Sequence, residues 1–157
     1  MTTRTRAQAQ SSNGCGKRLW LTALVVFVVD RLTKWLVLEN VVSFPMDVGF
    51  FSIVYNTNTG VTWGFLKAYP FIPLVVACIV VFGIVYYHKQ IPKRDLGLAG
   101  LILGGAAGNL MDRFLYGAVI DWIDLGWWPV FNIADSAITI SMVWIIYQAF
   151  WSRSTRR

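Results

Sequence analysis

Four apolar stretches, each about as long as a membrane-crossing helix, constrain this chain more than any other feature. They run roughly over Leu19–Leu38, Pro70–Tyr87, Leu96–Leu115 and Val130–Trp151, about half of the 157 residues. A hydrocarbon core of ~30 Å needs ~20 mostly apolar residues per helix. What is left is too short for a sizeable soluble domain. Composition agrees: 56% of the residues are hydrophobic and 14% are charged, against about a quarter charged in an ordinary soluble domain. The expected fold is an all-α membrane protein, four transmembrane helices with a small extracytoplasmic β-rich element.

The net charge of +6 raises nucleic-acid binding, and its placement argues against it. Arg4, Arg6, Lys17 and Arg18 precede the first stretch. Lys89, Lys93 and Arg94 lie between the second and third, and Arg153, Arg156 and Arg157 follow the fourth. With four crossings, all of these fall on one side, which is the positive-inside pattern. Both termini and the 88–95 loop are therefore expected in the cytoplasm, and no nucleic-acid partner is expected. Residues 1–17 are polar and read as a disordered cytoplasmic tail, residues 18–151 as one four-helix domain, and 152–157 as a second cytoplasmic tail. Cys15 falls in the tail and Cys78 in the second stretch, so no disulfide is expected. Asp30, Arg31 and Lys34 follow the first apolar run without a small-residue cleavage site, so that run is expected to be retained rather than removed as a leader.

Two connections face outward. Residues 41–68 contain "FFSIVY", rich in aromatic and β-branched residues, and the turn signal "NTNTG", which together suggest a small β-element. Residues 116–129 read as an extracytoplasmic loop whose Trp122, Trp127 and Trp128 suit an interfacial aromatic belt.

Ionisable groups within a span cost ~2.5–3.5 kcal/mol each on insertion scales, so their positions carry information. Asp30 and Lys34 stand i, i+4 on the first helix, in the favourable order for an ion pair. Asn109, Asp112 and Arg113 lie near the outer end of the third, with Asp112 expected to pair with Arg113 or another base. Asn132, Asp135, Ser136 and Thr139 form one stripe at the start of the fourth. At ~1.5 Å per residue all three groups come to a similar depth near the outer face, which suggests a single site there. Asp135 has no partner on its own helix. Either Asp121 or Asp124, in the preceding connection, is placed to fold back beside it. Two carboxylates at short range would share one proton, the electronic arrangement of an aspartic protease. From spacing alone a proton relay, a transport site and a buried structural acid stay open, and so does the choice between Asp121 and Asp124. Proton-coupled transport is disfavoured by the lack of an internal repeat and by acids that sit high rather than at the midplane. Gly100, Gly104 and Gly108 line a seam for close helix packing. No cluster has metal-ligand spacing, and the sole histidine, His88, falls on the cytoplasmic loop; no metal and no cofactor are expected.

These residues also form five ordered motifs. Asp30 and Lys34, the Asn58-x-Gly60 pair, "GNLMDR" from Gly108 to Arg113, "VIDW" from Val119 to Trp122 and "FNIADS" from Phe131 to Ser136 together resemble the lipoprotein signal peptidases (signal peptidase II). Val61, Thr62 and Trp63 depart from the usual Ala-Ala-Phe after Asn-x-Gly, and Trp122 stands where the family has Phe. The resemblance implies an intramembrane aspartic endopeptidase of the bacterial cytoplasmic (inner) membrane, multi-pass, with its site near the outer face. It implies cleavage of lipid-modified prolipoproteins just before the diacylglyceryl-cysteine. Carried over by motif, Asp121 and Asp135 are the catalytic pair. Asn58, Gly60, Asn109, Arg113 and Asn132 support the site or hold substrate, and Asp30 and Lys34 have a supporting role. Membrane lipid, prolipoprotein substrates and globomycin-type inhibitors are the implied partners of a monomer.

Overall fold

A computed structural model of the chain describes residues 3–40, 43–60 and 71–154. Four helices, α1 (Thr3–Glu39), α2 (Ile72–Tyr87), α3 (Leu96–Tyr116) and α4 (Ile133–Ser154), are joined by a three-stranded antiparallel sheet. Its strands, in spatial order, are β1 (Met46–Asp47), β2 (Ser52–Asn58) and β3 (Val119–Asp124).

α3 is the axis of the bundle, packed against by α1, α4 and α2. Its glycines explain why. A Cβ at Gly100 would lie 2.5 Å from the Leu19 carbonyl oxygen, and one at Gly104 would lie 2.4 Å from that of Ala23. On another face, a Cβ at Gly105 would lie 2.6 Å from the Ala134 carbonyl oxygen. Helix backbones meet directly along these seams, the packing mode that small residues permit. Beside the α1 seam, Leu19, Ala23, Leu96, Ala99 and Leu103 form a buried apolar cluster.

Of the helices among the described residues, Ile72–Gln90 and Ile133–Trp151 are long and apolar enough to cross a membrane. α1 is interrupted by Asp30, Arg31 and Lys34, and α3 is diluted by glycines and by Asn109, Asp112 and Arg113. The helix boundaries fall close to the expected stretches, with two extensions. The polar segment read as a disordered tail continues α1 back to Thr3; its Ala, Gln and Arg residues are good helix formers. α4 likewise runs into the C-terminal tail as far as Ser154.

The expected outer loop over 116–129 is corrected in its first half. α3 stops at Gly117, whose positive φ of 73° lets its N–H reach the Arg113 carbonyl oxygen at 3.1 Å. The chain then turns back as β3, paired with β2 in the register Asn56↔Asp121, Thr57↔Ile120 and Asn58↔Val119. The same pairing carries β2 through "NTN", so the turn begins only at Thr59. Cross-strand hydrogen bonds override the local turn signal here. Trp127 and Trp128 remain exposed, their rings edge to face at 5.7 Å. An isolated bridge from Ile123 to Phe131 returns the chain to the start of α4. Val61, Thr62 and Trp63, and the rest of the β-element after Gly60, lie outside the described residues.

Candidate active site

The polar residues of α1, α3 and α4 meet the sheet at one end of the bundle. Asn132 is the hub. As the N-cap of α4 its side-chain Oδ1 accepts the backbone N–H of Asp135, three residues on, at 2.9 Å. Its Nδ2 donates to Asp121 Oδ1 at 2.7 Å, to Asn109 Oδ1 at 3.1 Å and to the Ile120 carbonyl at 3.2 Å. One fully buried side chain thus ties β3, α3 and α4 together.

Asn109 completes the link. Its Oδ1 accepts from Lys34 Nζ at 3.0 Å as well as from Asn132, so its amide N–H2 is turned toward Asp135 and donates to Oδ1 at 2.7 Å. Asp121 and Asp135 are therefore held by a common pair of carboxamides, Asn132 bonding to both residues and Asn109 to Asp135. Asn58 approaches Asp121 from β2, its Nδ2 donating to Oδ2 at 3.0 Å. Its own Oδ1 accepts the Gly60 N–H at 2.8 Å, an Asx turn that orients the amide. Gly60 has φ +95°, and a Cβ there would come within 2.5 Å of Pro73 on α2, so the motif glycine answers both a backbone and a packing demand.

Asp121 is fully buried. Burial first, and then the nearby Asp135, push its carboxyl from 3.8 up to about 7, against the pull of the Asn58 and Asn132 hydrogen bonds and of Lys34. A carboxyl that titrates near neutrality is poised to hold or release a proton under working conditions.

Behind this layer lies an ion cluster. Lys34 Nζ is 2.8 Å from Asp30 Oδ2 and 2.7 Å from Asp112 Oδ2, all three side chains having no exposed surface. Asp112 also pairs with Arg31. The expected Asp30–Lys34 pair is present. Asp112, however, finds its bases on α1, and Arg113 instead donates to the Asn109 carbonyl oxygen at 3.2 Å. Successive residues of a helix point in different directions, so Asp112 faces α1 while the Arg113 guanidinium turns to where it feels Asp135 and Asp121. Arg31 escaped the sequence reading as part of this layer, and Asp112, expected there beside Arg113 or another base, has its partners on α1. The signal was there, since Arg31 and Lys34 stand i, i+3 on α1, but nothing local said that a carboxylate on another helix would join them. Ser136, placed on the polar stripe, bonds to the Asn132 carbonyl oxygen of its own helix at 3.0 Å. Asp124 stands apart, its Oδ1 accepting the Gly126 N–H at 2.7 Å in a local turn.

An apolar cleft of about 760 Å³ opens between α2, α3 and α4, walled by residues such as Val76, Val80, Ile138 and Met142, with Asn109, Arg113 and Asp135 as its polar lining. A smaller hollow of about 370 Å³, lined by Trp127, Trp128, Phe131 and Thr139 among others, reaches Asp135 too.

Residues 22–151 match the family model described as signal peptidase (SPase) II. The chain belongs to the signal peptidase II family. A lipoprotein signal peptidase of Syntrophomonas wolfei is 42% identical over 127 residues, covering 77% of this chain and 85% of that protein. One of Bacillus subtilis is 37% identical over 139 residues, covering 82% and 90%. A solved bacterial membrane enzyme superposes with a TM-score of 0.71 at 29% identity, over 87% of this chain and 90% of that one. The family's members are peptidases, and this chain is accordingly a protease and a bacterial membrane protein.

Proposed function

We propose that the chain removes the signal peptide from lipid-modified prolipoproteins, cutting just before the diacylglyceryl-cysteine, with Asp121 and Asp135 as an aspartic dyad. Family membership supports the substrate class. The observation that carries the dyad is the shared carboxamide frame, in which Asn132 bonds to both acids while Asn109 holds the side chain of one. Two acids so framed share one proton and titrate as a pair. The ionised member takes a proton from the attacking water. The protonated one donates to the carbonyl oxygen of the scissile amide, and the resulting tetrahedral intermediate collapses with transfer of a proton to the leaving nitrogen. Asn58, Gly60, Asn109, Arg113 and Asn132 are the residues that frame this chemistry.

The setting fits a lipidated substrate. The cleft running down from Asp135 offers an apolar wall to the apolar stretch of a signal peptide, while the acyl chains stay in lipid. In this reading all four helices cross the cytoplasmic membrane and α1 and α3 hide their polar residues against each other. Both termini lie inside, following the basic residues, and the sheet lies at the outer face. The chain acts as a monomer, and globomycin-type cyclic peptides would compete for the cleft.

The test is cleavage of a lipidated prolipoprotein peptide by the detergent-purified protein. Asp121→Asn and Asp135→Asn should each lower turnover by ~10²–10⁴-fold or more without loss of folding. Asp124→Asn, whose carboxylate serves a turn, should keep most activity. Full turnover in either of the first two variants sinks the dyad.

A further inference from the structure

The buried ion cluster behind the site grips the backbone at two places. Asp30 Oδ1 accepts the N–H of Ala134 at 3.1 Å. Asp112 Oδ2 accepts the N–H of Ile120 at 3.2 Å. Ala134 immediately precedes Asp135, and Ile120 immediately precedes Asp121. Neither N–H has a partner within regular structure: one belongs to the first turn of α4, whose donors have no intrahelical acceptor, and the other to β3, at the edge of the sheet. Each carboxylate thus holds the main chain one residue away from a proposed catalytic acid. Lys34 Nζ joins the two carboxylates, at 2.8 Å and 2.7 Å. The same ammonium donates to Asn109 Oδ1 at 3.0 Å, which leaves the Asn109 amide N–H2 to face Asp135.

From this we infer that Lys34 is a positioning residue that sets the separation of Asp121 and Asp135 by drawing together the two carboxylates that hold the backbone before them. The inference rests on the dyad reading above. It assigns Lys34 a role in rate, distinct from general support of the fold. Three facts support it. Asp30, Lys34 and Asp112 have no exposed surface, so the attraction between them is little screened. Gly108 clears the space, since a Cβ there would lie 2.5 Å from Asp30 Oδ2. Arg31 takes the other oxygen of Asp112, so the Asp112 carboxylate is fixed on both sides and Lys34 pulls against a rigid anchor. Catalysis by a water held between two acids is sensitive to small displacements of either, whereas binding of an apolar segment in the cleft is not.

The experiment uses the full chain in detergent with two probes. One is a lipidated prolipoprotein peptide. The other is the same peptide with a hydroxyethylene in place of the scissile amide, which cannot be cut and which sets its hydroxyl between the acids. Lys34→Met should lower kcat tenfold or more per folded molecule, with KM within about twofold. Affinity for the hydroxyethylene peptide should fall by the same factor as kcat/KM, as expected of a transition-state mimic. Should Lys34→Met fail to fold, Asp30→Asn decides. It keeps an oxygen for the Ala134 N–H and the shape of the side chain, and removes only the charge that Lys34 pulls on; the same pattern is expected with a smaller drop in kcat. A wild-type kcat per folded molecule, or a loss carried by KM with both probes weakened alike, overturns the inference. Asp121→Asn run alongside separates the two failures. If it turns over normally, the dyad reading falls and takes the inference with it. If it is inactive while the Lys34 and Asp30 variants are normal, only the inference falls.

Discussion

α2 and α3 are consecutive helices with opposite fates. α2, "IPLVVACIVVFGIVYY", is the more hydrophobic by composition, and none of its residues is buried. α3 carries five glycines and the polar trio Asn109, Asp112 and Arg113, and ten of its residues are buried. In a water-soluble bundle the apolar helix would form the centre. A helix surrounded by lipid gains little by hiding apolar surface, because lipid tails are as apolar as a neighbouring side chain. What drives a helix to the centre is then close backbone packing and the need of its polar groups for partners. The contrast teaches that in this chain hydrophobicity marks the outside, and glycines with buried polar groups mark the core and the site.

The same substitution in the two helices would break that contrast most directly if it failed. Gly104→Ala places a methyl 2.4 Å from the Ala23 carbonyl oxygen and 2.9 Å from the Val26 Cβ. A carbonyl oxygen cannot rotate aside, so α1 and α3 must separate. Overpacking of this kind costs ~1–3 kcal/mol, and here it also pulls Lys34 and Asp30 away from α3. We expect a clear fall in the thermal unfolding midpoint in detergent together with lost turnover. An unchanged midpoint would show that the seam is loose and that α3 is not the packing axis.

The contrast also accounts for how much was legible beforehand. The helices were readable as long apolar runs, and apart from the extension of α1 back to Thr3 their boundaries in the structure lie within a few residues of those runs. Asp30 with Lys34 was readable because i, i+4 is a local relation. The acids Asp121 and Asp135 stood out by the scarcity of charge around them, but spacing alone left Asp124 as an equal candidate for the first. Only the motif separated the two, and the β2–β3 register then places Asp121 opposite Asn56, with Asn58 two residues on. Strand β3 itself was missed, since "VIDWID" between two helices offers six residues with two acids and no sign of the distant β2 that pairs with it. The Arg31–Asp112 pair, 81 residues apart in sequence, was invisible for the same reason. Local signals reveal elements and their faces; contacts between elements far apart in the chain come only from the fold.

A smaller effect sharpens the difference between the sheet and the helices as suppliers of the site. Asn58 on β2 donates to Asp121 and favours its charged form, offsetting part of the rise that burial and Asp135 cause. Lys34, Asn132 and Arg113 face the same acids from α1, α4 and α3 and are unchanged in Asn58→Ala. Losing the hydrogen bond must then raise the Asp121 carboxyl beyond about 7. Activity that needs the shared proton is lost as pH rises through that value, so the alkaline limb of kcat/KM should move to higher pH in the variant. Below that limb, where the pair keeps its proton in both proteins, only the positioning by one hydrogen bond is lost, about 0.5–1.5 kcal/mol, so kcat/KM there should drop by about tenfold at most. A limb that stays in place or moves to lower pH would mean that the sheet does not hold the acid down in this way. The stability linkage has the matching sign. Between 3.8 and about 7 the folded chain binds the proton that the unfolded chain releases, so this group makes the fold less stable as pH rises through that window, and the variant extends the window upward.

The smallest effect comes from α2, and its sign is the point. At Gly83 a Cβ meets nothing within 4 Å. Gly83→Ala therefore adds no clash. It replaces the residue with the greatest backbone freedom by the strongest helix former, a change of ~0.5–1 kcal/mol in favour of the helix. The unfolding midpoint should rise slightly, where Gly104→Ala lowers it. Gly83 lies on the wall of the apolar cleft, so the added methyl also probes the substrate. If a signal peptide runs along that wall, KM changes while kcat does not, because the methyl stands well down the helix from the acids. A fall in the midpoint would place α2 in the packed core after all and undo the distinction between a lipid-facing helix and a central one.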